Sequence, residues 1–292
     1  MSAPSPFDLS QDDAYRTWRD QRLARHPTRL DELVVEIRDP RRLSEAERDA
    51  ILDRCRRCNM ALYAGPTGED ADKDIIHALG LQLGLARLDH NTGADEDAIT
   101  SLTVQGDAYH REYIPYTNRA IAWHTDGYYN TPERQIRGLI LHAVHPAQSG
   151  GENDLLDHEI LYIQLRDANP DYLRALMHPQ AMSIPANVSG GAELRAEQTG
   201  PVFSVDPDGH LHMRYTDRTR SIRWRDDPDT QAAVQTLKDL LHQPGPWHFR
   251  GRLEAGQGLI CNNVPHTRTG FTDGERPRLL YRARYYDRIQ AT

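Results

Sequence analysis

Short apolar stretches with alternating polar positions dominate the chain from about residue 98 onward. Such alternation is typical of strands that bury one face in a sheet. The stretches are AITSLTVQ, AIAWHTD, QIRGLILHAVH, GPVFSVDPDGHLHMRYT, GLICNNV and RLLYRARYY. The sequence Pro207-Asp208-Gly209 predicts a hairpin turn inside the fourth stretch. The C-terminal two-thirds of the chain is therefore predicted to be rich in strands.

Helical spacing is found in the first ninety residues and in two later segments. SEAERDAILDRC opens with a capping box formed by Ser44 and Glu47, and DELVVEI and MALYAG are short strand candidates on either side of it. The later helical patterns are DHEILYIQLRDANPDYLRALM and DPDTQAAVQTLKDLLHQ. We therefore expect one domain over residues 1–292, with a helix-rich part at 1–95 and, at 96–292, a β-barrel or jelly-roll core with helices outside.

Composition narrows the classes of function. The chain has 292 residues and a net charge of −8, with 38% hydrophobic and 27% charged residues. This acidic balance does not favour a nucleic-acid or anionic-membrane surface. No apolar run approaches the roughly 20 residues of a membrane span, and the polar N-terminus does not resemble a signal peptide. We therefore expect a cytoplasmic protein that binds neither nucleic acid nor membranes.

The three cysteines do not suggest a disulfide framework, because their number is odd. Cys55 and Cys58 form a C-x-x-C motif inside a charged helical pattern, and Cys261 stands alone. No second C-x-x-C motif completes a zinc site. Two interpretations of the pair remain open: a redox or zinc role, or two cysteines one turn apart on a helix.

A candidate metal site lies in the stretch AIAWHTD. Its histidine and aspartate, His124 and Asp126, project to the same side of a strand. Random placement of the chain's histidines and aspartates would produce about one such tripeptide. The motif therefore indicates a metal site only if a third ligand accompanies it. His266 follows the strand GQGLICNN and supplies one. Two histidines and one carboxylate form the facial triad of non-haem Fe(II) oxygenases.

Activation of oxygen by Fe(II) requires further electrons, commonly taken from a 2-oxo acid that chelates the metal. The distal carboxylate of this co-substrate needs a cation, and a planar guanidinium fits a carboxylate best. Arg278 lies shortly after His266 in RPRLLYRARYY, and Arg282 follows on the same face. Four strand residues span about 13 Å, so the two arginines cannot easily hold one small carboxylate.

The blocks WHTD, SGGEN, NNVPHTRTGF and RPRLLYRARYY together resemble the taurine dioxygenase and chlorophenoxyacetate dioxygenase family of Fe(II)/2-oxoglutarate-dependent oxygenases. The order and spacing match over roughly residues 95–290. The resemblance implies a double-stranded β-helix (jelly-roll) core with flanking helices. It also implies that His124, Asp126 and His266 bind Fe(II), that Arg278 holds the distal carboxylate of 2-oxoglutarate, and that Asn153 replaces a threonine common in the family at the same carboxylate.

Substrate contacts are less well defined by the sequence. The resemblance places Arg282 against an anionic end of the substrate, while a structural ion pair is the other interpretation of this residue. Tyr128 belongs to a group of tyrosines around the HTD strand, which either lines a substrate pocket or packs the loops. The glycine-rich segment around 185–200 is predicted to be a lid inserted in the core.

These features predict a dioxygenase that uses Fe(II), 2-oxoglutarate and O2 to hydroxylate or oxidatively cleave a small substrate, releasing succinate and CO2. The resemblance would also fit a dimer or tetramer. Two other classes stay open. A cupin-like zinc hydrolase would bind its metal through the same triad. A non-catalytic module would bind 2-oxoglutarate or a small anion on the same fold.

Overall fold

The computed structural model describes residues 5–90, 95–104, 113–189, 192–218 and 222–292. Its two larger sheets carry most of the long-range strand pairing. The six-stranded sheet has the spatial order β1 (Val34–Glu36), β2 (Met60–Ala64), β16 (Gln257–Cys261), β5 (Gly138–His145), β19 (Leu279–Tyr285) and β3 (Thr100–Leu102). The four-stranded sheet has the order β15 (Phe249–Gly251), β7 (Asn153–Leu155), β17 (His266–Arg268) and β4 (Ile121–His124). All neighbours are antiparallel except β1 and β2.

Smaller sheets connect and flank these two. One pairs β6 (Ser149–Gly150) with β18 (Phe271–Thr272), and another joins β8 (Met182–Ile184), β11 (Gln198–Gly200) and β14 (Arg223–Trp224). Two hairpins complete the set: β9 (Asn187–Ser189) with β10 (Ala192–Arg195), and β12 (Phe203–Val205) with β13 (Leu211–Met213). The second hairpin turns at 207–209, as its Pro-Asp-Gly sequence predicts.

The helices of the described residues fall into two groups. An N-terminal group comprises α1 (Asp12–Arg25), α2 (Glu45–Cys58) and α3 (Asp74–Gln82). A second group comprises α4 (His158–Ala168), α5 (Pro170–Leu176) and α6 (Pro228–His242). Short 3-10 turns occur at Leu30–Leu33, Ile114–Tyr116 and Pro132–Arg134. In the part of the chain that the structure describes, no helix combines the length and apolar character needed to cross a bilayer.

Two local predictions are confirmed and one is corrected. Ser44 and Glu47 form the expected capping box of α2, and this helix carries Cys55 and Cys58 as buried free thiols. The pattern DHEILYIQLRDANPDYLRALM was expected to be one helical segment, but it contains two helices. Asn169 ends α4 and caps α5, and Pro170 lacks the N–H that would continue a single helix.

Three apolar clusters hold the layers together. The cluster between the two larger sheets draws Leu141 and Leu259 from one sheet and Leu155 and Phe249 from the other. A second cluster packs α2 and α3 on the outer face of the six-stranded sheet, and a third surrounds α4, α5 and α6. The helix-rich N-terminal part also supplies β1 and β2 to the six-stranded sheet. It is therefore continuous with the core that carries the candidate ligands.

The contact between Tyr63 and Gly258 tests this packing. A Cβ at Gly258 would lie 2.3 Å from the Tyr63 ring and 2.4 Å from the Leu141 carbonyl oxygen. We expect Gly258→Ala to lower the free energy of unfolding by about 1–3 kcal/mol, because overpacking displaces neighbouring strands. Urea unfolding measures the change, with Gly200→Ala as the control, since a Cβ there meets only ordinary contacts at 3.7 Å. Equal stability of the two variants would contradict the prediction.

Candidate metal centre

The three predicted ligands converge at one end of the four-stranded sheet. His124 ends β4, and His266 begins β17 directly opposite it in the antiparallel register. Their ring centroids are 4.3 Å apart, and His124 Nε2 lies 3.7 Å from Asp126 Oδ1. One ligand atom from each of the three residues lies within 4.8 Å of the others. The structure therefore brings together residues that are up to 142 positions apart in the sequence (266 − 124).

Both imidazoles are oriented by a backbone carbonyl two residues earlier in the chain. Nδ1 of His124 lies 2.9 Å from the Ala122 oxygen, and Nδ1 of His266 lies 2.9 Å from the Val264 oxygen. With Nδ1–H donating to a carbonyl, Nε2 is left as the ligand atom. Burial, with a smaller effect of His266, lowers the pKa of His124 to about 3, so its imidazole is neutral as a metal requires.

Asp126 is a buried carboxylate supported by arginine. Burial alone would raise its pKa, but the charges of Arg282 and Arg284 outweigh this effect and hold the pKa below its ordinary value. Arg282 Nη1 donates to Asp126 Oδ1 at 3.3 Å. Oδ2 is buried and has no hydrogen-bond partner among the described residues. A buried carboxylate with one unpaired oxygen, close to two imidazoles whose Nε2 atoms are available, is the donor set that a divalent first-row metal takes.

The backbone of Asp126 is fixed by Asn263, a residue that the sequence analysis did not single out. Its amide oxygen accepts from the Asp126 N–H at 2.8 Å. Its amide nitrogen donates to the carbonyl oxygens of Asp126 at 2.9 Å and Ile136 at 2.7 Å. Asn263 is buried and takes a left-handed conformation with φ of 51°, which asparagine tolerates better than most residues. The feature of the sequence that could have identified Asn263 is its position three residues before His266.

A tight turn carries the chain from Asp126 to the rim of the site. Gly127 has φ of 65°, and a Cβ there would lie 2.4 Å from Ile136 Cγ1, so the turn requires glycine. The half-buried rings of Tyr128 and Tyr129 follow in an edge-to-face pair with centroids 5.2 Å apart. Arg284 Nη1 donates to the Tyr129 hydroxyl at 3.0 Å. Tyr128 therefore follows the candidate ligand Asp126 by two residues, on the turn that leaves the site.

The two residues predicted to bind 2-oxoglutarate line the same narrow cleft. Arg278 is buried, and its guanidinium lies 5.0 Å from the centroid of the Phe271 ring. Burial, opposed in part by Asp273, lowers its pKa to about 10, so the group stays charged at neutral pH. Asn153 lines the cleft with Arg278, but its amide nitrogen already donates to the Thr267 carbonyl at 2.6 Å. Part of its hydrogen-bonding capacity is therefore used within the protein.

A larger cavity of about 350 Å³ begins at Asn153 and is mainly apolar. Leu62 and Leu259 of the six-stranded sheet and Leu155 of the four-stranded sheet contribute to its wall. The three candidate ligands do not line it, although Leu155 pairs with His266 in register. The cavity therefore lies between the sheets, next to the strand that bears the second histidine.

A second cluster of possible ligands occurs at the hairpin turn of β12 and β13, where Asp206, Asp208 and His210 approach one another. Asp206 Oδ2 is paired with Arg137 at 2.7 Å. Its Oδ1 accepts from the backbone N–H groups of Asp208 and His210. These contacts satisfy the Asp206 carboxylate and shape the turn. The site formed by His124, Asp126 and His266 is therefore the better candidate for metal binding.

Comparison with known proteins identifies relatives over most of the chain. The family model described as taurine catabolism dioxygenase TauD, TfdA family matches residues 22–284. A uridine-5'-phosphate dioxygenase from Streptomyces sp is 32% identical over 203 residues, which cover 65% of this chain and 69% of that protein. A uridine-5'-phosphate dioxygenase from Amycolatopsis sp is 30% identical over 176 residues, covering 58% of this chain and 62% of the relative.

Solved structures with low sequence identity share the fold. A taurine dioxygenase from Burkholderia xenovorans superposes with a TM-score of 0.58 at 19% identity, covering 89% of both chains. An asparagine oxygenase solved with Fe(II), 2S,3S-3-hydroxyasparagine and succinate superposes with a TM-score of 0.59 at 15% identity, covering 83% of this chain and 80% of that one. This mixed arrangement of sheets and helices is thus similar to the fold of Fe(II)/2-oxoglutarate oxygenases.

Removal of the Asn263 amide should loosen the metal site. We expect Asn263→Ala to lower iron affinity about 10- to 100-fold, because residues that orient metal ligands have effects of this size. The free energy of unfolding should fall by about 3 kcal/mol, at about 1 kcal/mol for each of three lost hydrogen bonds. Anaerobic iron titration and urea unfolding measure the two quantities.

Asn262→Ala is the matched control. Asn262 is equally buried, but its side chain binds Asn59, Ile289 and Thr292 instead of Asp126. This variant should lose stability and keep its iron affinity once folded. The same iron affinity in both variants would show that Asn263 has no specific role at the metal site.

Proposed function

The chain belongs to the taurine catabolism dioxygenase TauD, TfdA family, and on that premise we propose that His124, Asp126 and His266 hold its catalytic iron. It is an Fe(II)/2-oxoglutarate-dependent dioxygenase that hydroxylates a small substrate. The observation that carries the ligand assignment is the convergence of two carbonyl-oriented imidazoles on the buried Asp126 carboxylate, whose Oδ2 has no hydrogen-bond partner among the described residues. These residues fit Fe(II), which accepts imidazole nitrogen and carboxylate oxygen together.

The protein's side chains position the co-substrate. We propose that Arg278 binds the distal carboxylate of 2-oxoglutarate, and that Asn153 lies beside it with its remaining donor. Support comes from the cleft that the two residues share and from the lack of an ion pair at the Arg278 guanidinium within the described residues. The Phe271 ring fixes the plane of the guanidinium, and burial strengthens its attraction for a carboxylate.

With O2, the bound iron and 2-oxoglutarate supply the oxidising power: one oxygen atom enters the substrate, and the other enters succinate as CO2 is released. The chain's own residues provide orientation for this reaction. Arg282 holds Asp126 at Oδ1 and leaves Oδ2, which has no partner among the described residues, available to the metal. Asn263 keeps the backbone of Asp126 in place. Tyr128, at the rim, is our candidate for contact with the substrate.

We further propose that the two larger sheets form a double-stranded β-helix. Their shared apolar cluster and their antiparallel order support this assignment. The segment around 185–200 is proposed as the lid of the site, although residues 190–191 lie outside the described part of the chain. Cytoplasmic residence and a homo-oligomeric state stay predictions from the sequence.

The substrate is proposed to be a small anion, with nucleoside 5'-monophosphates as the first class to test. The two curated relatives are named for uridine 5'-phosphate. Arg282, predicted from the sequence to face a substrate anion, pairs with Asp126 instead. Its Nε is buried and has no hydrogen-bond partner within the described residues. Screening of nucleoside monophosphates, sulfonates and carboxylates for stimulated succinate release tests this proposal.

The metal assignment has a direct test. Anaerobic addition of Fe(II) and 2-oxoglutarate should produce the weak visible metal-to-ligand absorption band in the wild type, and His124→Ala and Asp126→Ala should each abolish it, because either change removes one of three protein ligands. Absence of the band in the wild type, or its survival in both variants, would refute the assignment. Turnover with Zn(II) under anaerobic conditions would favour the hydrolase alternative.

The role of Arg278 predicts a selective kinetic defect. We expect Arg278→Ala to raise the KM for 2-oxoglutarate about 10- to 100-fold, because a charge-assisted contact contributes about 1.5–3 kcal/mol. Arg278→Lys should recover only part of this loss, since lysine cannot bind a carboxylate in a bidentate manner. Arg276→Ala is the control, because Arg276 is exposed and pairs with Glu69. An unchanged KM in Arg278→Ala would contradict the assignment.

A further inference from the structure

An arginine of the 185–200 segment lies against the rim of the metal site. Arg195 ends β10, and its guanidinium carbon is 5.6 Å from the centroid of the Tyr129 ring. Tyr129 follows the metal ligand Asp126 by three residues and adjoins Tyr128. The segment predicted to be a lid therefore places a cation next to the aromatic pair that borders the site.

The hydrogen bonds of Arg195 fix its orientation and leave donors free. Nη2 donates to the Pro185 carbonyl at 2.7 Å, and Nη1 donates to the Ala196 carbonyl at 3.1 Å. A guanidinium has five N–H groups, so three remain after these two contacts. Both acceptors belong to the same segment, and the contact with Tyr129 aligns the group relative to the rim.

Two of the arginines near the candidate ligands have an acidic partner, and the donors of a third are taken up by backbone carbonyls. Arg282 is paired with Asp126, and Arg284 with Asp89. Arg268 donates to backbone carbonyls of residues 114–119. In the described ranges Arg195 makes no ion pair, and partial burial lowers its pKa. A half-buried cation without an acidic partner is stabilised when an anionic ligand binds beside it.

We propose that Arg195 binds the phosphate of the substrate, with Tyr128 and Tyr129 bordering the rest of the molecule. This inference rests on the proposed function, and it names the anion-binding residue of that same site. Phosphate suits the free N–H groups of a guanidinium, which can bind two oxygens at once. Arg282, by contrast, is engaged with the metal ligand Asp126.

The test compares uridine 5'-phosphate with uridine in three proteins: wild type, Arg195→Gln and Arg195→Lys. In Arg195→Gln the KM for uridine 5'-phosphate should rise about 10- to 100-fold with little change in kcat, because a charge-assisted contact made in the ground state is lost. Uridine, measured as a competing ligand, should keep its inhibition constant. The KM of Arg195→Lys for uridine 5'-phosphate should lie between those of the wild type and Arg195→Gln, because lysine supplies the charge without the paired donors of a guanidinium.

Arg223→Ala is the matched control, since Arg223 is exposed and pairs with Glu197 just beyond β10. Its KM should equal that of the wild type. A parallel weakening of uridine and uridine 5'-phosphate in Arg195→Gln would overturn the proposal, because Arg195 would then only pack the segment against Tyr129. So would an unchanged KM in Arg195→Gln.

The failure of the inference can be distinguished from that of the function. A wild-type protein that forms the visible band with Fe(II) and 2-oxoglutarate, but binds and oxidises no nucleoside 5'-monophosphate, overturns the phosphate assignment and leaves the oxygenase intact. A wild-type protein without the band overturns the proposed function, and the inference falls with it.

Discussion

The hydrogen bonds between the Asn263 side chain and the backbone of Asp126 connect the two halves of the metal site. His124 ends β4 and Asp126 lies in the turn after it, whereas His266 begins β17, and the register of the two strands and this amide both relate them. The amide also binds Ile136. A buried amide with both its oxygen and its nitrogen satisfied has one favourable orientation, so it fixes the distance between the two segments.

Burial of the site creates an electrostatic demand that the arginines meet. A carboxylate removed from water is costly unless positive charge lies nearby. Arg282 and Arg284 supply this charge to Asp126, and the six-stranded sheet places both on β19. Arg278 lies four residues before Arg282, directly before β19 begins at Leu279. The cations that stabilise the metal ligand therefore also make the neighbouring space attractive to anionic ligands, as a reaction with 2-oxoglutarate requires.

Local sequence patterns predicted the structural features that depend on residues close together in the chain. Strand alternation predicted His124 and Asp126 on one strand, but β4 ends at His124 and Asp126 lies in the turn that follows. The capping box located the start of α2 correctly. The sequence pattern did not predict contacts between distant segments. Asn263 binds Asp126 across 137 positions, and no periodicity in the sequence encodes such a contact. The break at Asn169 was missed because the helical pattern continues through it, although a cap followed by proline at the first helical position is the local cause.

Catalysis and specificity draw on different parts of this chain. The ligands and their supports lie on the two larger sheets, where a change in one contact displaces many others. The residues at the rim belong to a turn after Asp126 and to the short hairpin of β9 and β10, which forms a two-stranded sheet of its own. Under our proposal, substitution of Arg195 changes the binding of the substrate's anion and leaves the residues proposed to hold iron in place. An oxygenase fold can in this way keep one metal centre while its loops determine the substrate, and our proposal assigns Arg195, on such a hairpin, to the anion of that substrate.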